Sequence, residues 1–211
     1  MPDKKETVVL IHGLWFSGFI LAALARRLRR AGFEVRSYSY PSVRLDFRAN
    51  AERLNRYLQG LDAATVHLVG HSLGGLLARA LFHYFPDQRP GRIVTLGSPH
   101  EGSEAAAHLR RSAFWRYLMG RSVAELLDGV PRGWVRPARE IGSVSGTRSL
   151  GLARFVYRGL PRPNDGLLTV GESALPGAGH RALPVSHTGM LFSRRVADEV
   201  IAFLARGRFG R

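Results

Sequence analysis

The distribution of apolar positions along the chain predicts strands that alternate with helices. Four short runs have the apolar or alternating pattern of strands: Thr7–Ile11, Glu34–Tyr40, Thr65–Val69 and Arg92–Leu96. Three stretches between them carry apolar residues at helical spacing: Phe19–Arg30, Phe47–Leu58 and Leu73–Phe85. Strands joined by crossover helices pair in parallel, so this order predicts an α/β fold with a mostly parallel central sheet and helices on both faces.

The second half of the chain has a weaker pattern. A helical stretch over Glu101–Asp128 is followed by Pro131, Gly133 and Pro137, which interrupt regular structure. Two further strands are predicted at Ile141–Thr147 and Ala182–Val185, and a closing helix at Met190–Ala205. The segment Leu167–Val170 is too short to assign.

Length and composition predict one globular domain covering residues 1–211. With 45% hydrophobic and 22% charged residues, the chain does not have the composition of a disordered protein. It contains no cysteine, which excludes disulfides, a cysteine nucleophile and thiolate metal sites. The apolar runs are too short to span a bilayer, and no secretory signal pattern precedes Thr7, so we expect a cytoplasmic protein.

The net charge of +15 comes almost entirely from arginine, since Lys4 and Lys5 are the only lysines. The arginines are spread over Arg26–Arg30, Arg110–Arg116, Arg132–Arg148 and Arg194–Arg211. A nucleic-acid-binding protein concentrates such residues on one stripe, so no nucleic-acid partner is expected. A solvated basic surface is favoured, with contact to an anionic membrane surface or an acidic partner as the alternative.

The segment Gly70-His71-Ser72-Leu73-Gly74 lies between a predicted strand and a predicted helix. A G-x-S-x-G sequence in that context is typical of a sharp turn that exposes a nucleophilic serine. The alternative is a glycine-rich turn that only packs or binds phosphate, although the Gly-Lys-Ser/Thr of a phosphate loop is missing. We therefore predict that Ser72 is a nucleophile.

A serine nucleophile needs a base, and on this fold an acid precedes that base along the chain. Three histidines follow Ser72 in plausible loops: His100, His180 and His187. His187 lies between the last predicted strand and the final helix, which is the position expected for the base. His100 comes too early to follow an acid, and His180 is expected to be exposed in a loop.

The acid is chosen among eight carboxylates that lie between Ser72 and His187. They are Asp87, Glu101, Glu104, Glu125, Asp128, Glu140, Asp165 and Glu172. Asp165 is favoured because it follows the strand Ile141–Thr147 and precedes His187, although Asn-Asp-Gly is also ordinary turn chemistry. Asp128 remains the alternative.

The oxyanion of an acyl-transfer intermediate needs two backbone N–H donors. The amide of Leu73, directly after the serine, is one candidate, and the amide of Leu14, in the loop after the first strand, is the other. His12 is expected to bond loop backbone rather than to act in catalysis. The sequence shows no metal-binding or dinucleotide-binding motif, so we predict no cofactor and no metal.

Five motifs occur in order along the chain. They are His12-Gly13-Leu14, Gly70-His71-Ser72-Leu73-Gly74-Gly75, Gly97-Ser98-Pro99-His100-Glu101-Gly102-Ser103, Asn164-Asp165-Gly166 and Ser186-His187-Thr188. Together they resemble α/β-hydrolases, most closely compact bacterial lipases and esterases. The resemblance implies ester hydrolysis through an acyl-serine intermediate, with Ser72, Asp165 and His187 as the triad, the Leu14 and Leu73 amides as oxyanion donors, and no cofactor.

We accordingly predict a carboxylic ester hydrolase acting on a small-molecule ester or lipid. A thioesterase, acyltransferase or amidase with the same triad is the first alternative, and a non-catalytic binding protein on this scaffold is the second. Residues from about 100 to 139 are expected to form a small cap. Its aromatic stretch either lines an acyl pocket or packs as a satellite core, and comprises Phe114, Trp115, Leu118 and Met119.

Overall fold

A computed structural model describes residues 6–134, 137–151, 157 and 159–210. The strands are β1 Thr7–Ile11, β2 Glu34–Tyr38, β3 Val66–His71, β4 Ile93–Leu96, β5 Ile141–Gly146 and β6 Gly179–Leu183. The helices are α1 Ala22–Arg30, α2 Phe47–Gln59, α3 Leu73–Tyr84, α4 Glu104–Leu109, α5 Ala113–Leu127, α6 Val170–Ser173 and α7 Arg194–Arg206. Short 3₁₀ turns lie at Gly18–Leu21, Val130–Gly133 and Gly189–Leu191.

The six strands form one parallel sheet in the order β2-β1-β3-β4-β5-β6, which confirms the predicted fold class. After β1 the chain adds β2 on one side and then β3 on the other, so the strand order reverses between β1 and β3. In open α/β sheets, ligands bind beyond the carboxyl ends of the strands at such a reversal. Near these carboxyl ends, the register pairs Ile11 with Gly70 and Gly70 with Thr95.

Helices cover both faces of the sheet, as predicted. On one face α2 and α3 pack against the strands through buried residues such as Leu54 and Leu77. On the other face α1 and α7 contribute Leu24 and Val200 to a second apolar cluster. Each fully buried aliphatic side chain stabilises the fold by about 1.5–3 kcal/mol relative to an exposed one. Packing on both faces therefore stabilises the strands whose carboxyl ends carry the site.

Several predicted boundaries differ from the structure. The first helix begins as the 3₁₀ turn Gly18–Leu21, and the closing helix α7 starts only at Arg194, where the Ser193 hydroxyl accepts a bond from the Val196 amide. The last strand lies earlier than Ala182–Val185. His180, predicted in a loop, therefore lies on β6 and contacts the Ser145 hydroxyl at 2.8 Å, although it is exposed as expected.

The helical stretch after β4 consists of two helices rather than one. Ser103 caps α4 by accepting a hydrogen bond from the Ala106 amide, and α5 is kinked at Gly120, whose φ is 72°. A Cβ atom at Gly120 would lie 2.7 Å from the Val43 carbonyl carbon, so α5 approaches the β2–α2 loop too closely for any larger residue. Along the described ranges no helix has both the length and the apolar character needed to cross a membrane.

Candidate active site

Ser72 lies at the turn between β3 and α3, at the carboxyl edge of the sheet. Its φ and ψ are 53° and −123°, a left-handed conformation that is strained for a residue with a Cβ. The Ser72 amide donates to the Leu96 carbonyl at 2.9 Å, which ties the turn to the end of β4. The side chain is half-buried and lies above the sheet edge.

The flanking glycines of the motif allow this turn because the backbone on both sides is too close for a side chain. A Cβ atom at Gly70 would lie 2.5 Å from the carbonyl carbon of Gly74. One at Gly74 would lie 2.5 Å from the His12 carbonyl oxygen. Helix α3 therefore begins in direct contact with the ends of β1 and β3, and this packing presents Ser72.

His187 and Asp165 meet at the same edge, on loops after β6 and β5. The His187 Nδ1 and Asp165 Oδ2 atoms are 2.8 Å apart, and the His187 amide donates to the Asp165 carbonyl at 2.9 Å. The second carboxylate oxygen accepts the amides of Leu167 and Leu168 at 2.9 and 2.7 Å. Asp165 is only 1% exposed, so its carboxylate is held by three hydrogen bonds and by packing.

Burial by itself would raise the pKa of Asp165. The charge of His187, its side-chain hydrogen bond and the amides of Leu168 and Leu167 together outweigh burial, and the pKa is lowered from 3.8. Asp165 is thus an ionised acceptor at neutral pH. Because a carboxylate can only accept, Nδ1 of His187 donates to Asp165, and Nε2 is the ring nitrogen left for other partners.

A cavity of about 560 Å³ opens at this edge and is lined by both Ser72 and His187. The hydroxyl and the ring form no direct hydrogen bond, judged over the residues that the structure describes, and contacts of this kind are often long without substrate. The rest of the described lining is almost entirely apolar and has no carboxylate, lysine or arginine. The cavity therefore suits an uncharged apolar group.

The predicted oxyanion donors also reach this cavity. Leu14 and Leu73 both line it, and neither backbone amide donates to a protein acceptor within the described ranges. The next residue, Trp15, has a φ of 62°. Trp15 and Ser72 are the non-glycine residues with left-handed φ among those described, so backbone strain is concentrated next to the two predicted donors.

Trp15 connects the β1 loop to α5, a contact that no pattern in the sequence predicts. Its amide donates to the Ser42 hydroxyl at 3.3 Å, and its indole Nε1 donates to the Leu118 carbonyl at 2.9 Å. The indole ring centre lies 6.3 Å from that of Trp115. The loop that carries Leu14 is therefore positioned partly by the helix over the site.

His71 is a second residue that sequence reasoning missed. It is fully buried beside Ser72, its Nε2 lies 3.1 Å from the His187 carbonyl oxygen, and the two rings are 4.8 Å apart. Burial lowers the pKa of His71 to about 3, with the nearby His187 adding to this effect. A neutral His71 then donates to the His187 backbone. Its place next to the serine was the only available signal.

Two other candidates for the triad, Asp128 and His100, do not line the cavity. Asp128 is on the surface, where its carboxylate pairs with Arg110 at 2.7 Å. His100 is buried away from the cavity, between the Thr95 hydroxyl at 2.9 Å and an Arg79 guanidinium nitrogen at 3.3 Å.

His12 bonds backbone, as the sequence predicted. Its Nδ1 lies 2.7 Å from the Gly13 carbonyl oxygen, and its Nε2 accepts the Tyr40 amide at 3.1 Å. The ring also stacks on Tyr40, with 4.6 Å between ring centres. His12 thus holds the β1 loop and is absent from the cavity lining.

Only part of the predicted aromatic stretch faces the cavity. Trp115 and Met119 line the cavity, whereas Phe114 and Leu118 do not. Phe114 is 65% exposed. Deeper along the same helix, Val123 and Leu126 also line the cavity, so one face of α5 forms a wall of the site.

A parallel sheet with a serine at a strained strand-to-helix turn, and a histidine–aspartate pair beside it, is the arrangement of α/β-hydrolases. A model of the alpha/beta hydrolase family matches residues 8–209. The chain therefore belongs to this family.

Solved structures with similar folds include esterases and a lipase, all of low sequence identity. A monoacylglycerol lipase of Paleococcus ferrophilus is 16% identical over 97% of this chain and 96% of its own, with a TM-score of 0.66. A metagenomic carboxyl esterase is 15% identical over 89% of this chain and 66% of its own, with a TM-score of 0.67. A carboxylesterase of Bacillus subtilis is 16% identical over 98% of this chain and 85% of its own, with a TM-score of 0.58.

Proposed function

We propose that the protein is a serine hydrolase that cleaves carboxylic esters with an apolar acyl group. The observation that carries the proposal is the shared cavity: strained Ser72 and the Asp165-held ring of His187 face one apolar space of about 560 Å³. The carboxyl esterase and the monoacylglycerol lipase among the proteins of similar fold support the same class of reaction.

In this mechanism the Ser72 hydroxyl attacks the ester carbonyl carbon while Nε2 of His187 takes its proton. The tetrahedral oxyanion is bound by the amides of Leu14 and Leu73. Collapse breaks the ester C–O bond, and the leaving alcohol receives the proton from His187, which leaves an acyl group on Ser72. Water then attacks the acyl carbon, His187 accepts and returns the proton, and the carboxylic acid leaves with Ser72 restored.

The acyl side of the substrate is inferred from the lining. Met119, Val123 and Leu126 on α5 face the cavity together with Leu167 and Leu168 from the loop after Asp165. An apolar chain placed there removes hydrocarbon from water, which favours binding by about 0.8 kcal/mol per buried methylene. A charged acyl group would lose hydration without finding a partner.

The test is hydrolysis of p-nitrophenyl butyrate by the wild type and by Ser72→Ala. We expect turnover by the wild type and loss of at least about 10³-fold in the variant. Equal rates would reject the serine mechanism and favour a non-catalytic binding protein. Matched butyryl thioester and amide substrates extend the test, because faster thioester or amide cleavage, or acyl transfer to an added alcohol, would redefine the reaction.

A further inference from the structure

Exposed aromatic side chains occur on the β1 loop and on α5, the two segments that contribute aromatic rings to the cavity lining. Phe114 and Tyr117 on α5 are 65% and 83% exposed, and Trp15 is 55% exposed. The Phe114 ring centre lies 5.6 Å from that of Trp115, which in turn lies 6.3 Å from Trp15. Trp15, Phe16 and Trp115 also line the cavity. We call Trp15, Phe16, Phe114, Trp115 and Tyr117 the aromatic rim.

The aromatic rim is continuous with the apolar interior of the site. Phe114 and Tyr117 are three residues apart and so lie on one side of α5, while Met119 and Val123 are buried. Helix α5 thus contributes apolar surface both to the cavity and to solvent. Exposed apolar patches of this kind on a folded chain mark interaction surfaces.

Positive charge accompanies the rim. Between Glu104 and Glu125 the chain has four arginines and no acidic residue. Arg110 pairs with Asp128. The other three form no ion pair with any part of the chain that is described, and all are exposed: Arg111, Arg116 and Arg121.

Together, the exposed aromatic residues and the unpaired arginines favour an anionic lipid surface as the partner. Aromatic side chains with an apolar body, adjacent to arginines, suit the boundary between lipid headgroups and acyl chains, and arginines favour anionic headgroups. An opening lined by apolar groups would face the acyl layer. A nucleic acid would use the arginines and stack on the rings, but the apolar cavity behind them would have no role.

We propose that the aromatic rim and the arginines of the α4–α5 segment dock the protein on an anionic lipid surface, with the cavity mouth toward the lipid. The proposal rests on the proposed function only in that the mouth gives access to Ser72. Binding itself requires no turnover.

The experiment is vesicle flotation with Ser72→Ala protein, which separates binding from hydrolysis. Vesicles contain either phosphatidylcholine alone or phosphatidylcholine mixed with phosphatidylglycerol. We expect binding to the anionic vesicles, little binding to the neutral ones, and release at high salt because the attraction is screened. Equal binding to both vesicle types, or to neither, would overturn the proposal.

Two pairs of substitutions test separately how the aromatic residues and the arginines contribute to vesicle binding. Phe114→Ser with Tyr117→Ser, and Arg111→Gln with Arg116→Gln, should each weaken binding to anionic vesicles about tenfold or more. Arg26→Gln with Arg30→Gln on α1 removes the same charge, and Arg30 precedes the amino end of β2, opposite the site. This control should bind as the parent does; an equal loss would indicate a diffuse charge effect and reject the aromatic rim as the docking surface.

Two further measurements separate the possible failures. Introduced into the otherwise wild-type enzyme, the Phe114→Ser and Tyr117→Ser pair should hydrolyse soluble p-nitrophenyl butyrate at the wild-type rate, since neither residue lines the cavity. Failure of the Ser72→Ala protein to bind anionic vesicles, together with turnover by the wild type, would reject docking alone. Binding of Ser72→Ala to those vesicles, together with an inactive wild type, would reject the hydrolase alone. Displacement from anionic vesicles by duplex DNA at equal phosphate concentration would replace the lipid proposal with polyanion binding.

Discussion

Asp165 is the residue on which the geometry of the proposed base depends. One carboxylate oxygen accepts the His187 ring proton and the other accepts two backbone amides. The aspartate thus determines both the tautomer and the orientation of the imidazole. Leu167 and Leu168, which supply those amides, also line the cavity, so one loop orients the His187 ring and forms part of the cavity wall.

Asp165→Asn should lower kcat by roughly 10³–10⁴-fold, because an amide can donate to Nδ1 and stabilise the wrong tautomer of His187. The measurement is steady-state hydrolysis of p-nitrophenyl butyrate, with folding checked by thermal unfolding. Asp128→Asn is the matched control and should keep wild-type turnover, since Asp128 only pairs with Arg110 on the surface. A larger loss in the control than in Asp165→Asn would transfer the role of acid to Asp128.

At the scale of elements, the contact between the start of α3 and the ends of β1 and β3 creates the turn that holds Ser72. This contact requires backbone against backbone, and Gly70 and Gly74 provide it. The strain at Ser72, of order 1–3 kcal/mol for such a conformation, persists only because these neighbours hold it.

Gly74→Ala should destabilise the protein by at least about 2 kcal/mol, because its Cβ would overlap the carbonyl oxygens of Ile11 and His12. Urea unfolding measures the change. Gly171→Ala is the matched control: it lies within α6, the nearest atom to its Cβ would be 4.0 Å away, and it should be neutral or slightly stabilising. Similar stabilities of the two variants would mean that α3 can move away from β1 without cost.

At the scale of the whole molecule, three of the described imidazoles are buried without a carboxylate hydrogen-bond partner: His12, His71 and His100. Burial lowers the pKa of His71, with His187 contributing, and of His100, with Arg79 contributing, to about 3 in each case. In the unfolded chain both titrate near 6.5. Below that pH the unfolded state takes up protons that the folded state does not, so the free energy of unfolding falls as pH falls.

Each group can contribute a slope of up to about 1.4 kcal/mol per pH unit below its unfolded pKa. We therefore expect the free energy of unfolding to decrease from pH 7 to pH 5, measured by urea unfolding across that range. His100→Gln should flatten the dependence by up to about 2 kcal/mol at pH 5, whereas His108→Gln, at an exposed position, should run parallel to the wild type. If the free energy of unfolding depended on pH equally in all three proteins, His100 would take up its proton in the folded state as it does in the unfolded chain.

Several elements were predictable because their patterns are local. Strands β1, β3 and β4 are buried on both faces of a parallel sheet, and such strands are continuous apolar runs in the sequence. The edge strand β6 is mostly exposed and has no such run. The predicted strand therefore began at Ala182, whereas β6 begins at Gly179. The kink at Gly120 depends on a contact with Val43, which no local pattern contains.

By itself, the sequence determined the α/β order, the turn at Ser72 and the choice of His187 as the candidate base, because these follow from local periodicity, glycine spacing and order along the chain. Only the tertiary structure placed Asp165 against His187 and Asp128 on the surface, brought Trp115 and Met119 to the cavity but not Phe114, and set His71 against the His187 backbone. Each of these depends on how distant loops converge at one edge of the sheet. The free energy that brings them together comes from packing on both faces, and spacing along the chain does not encode it.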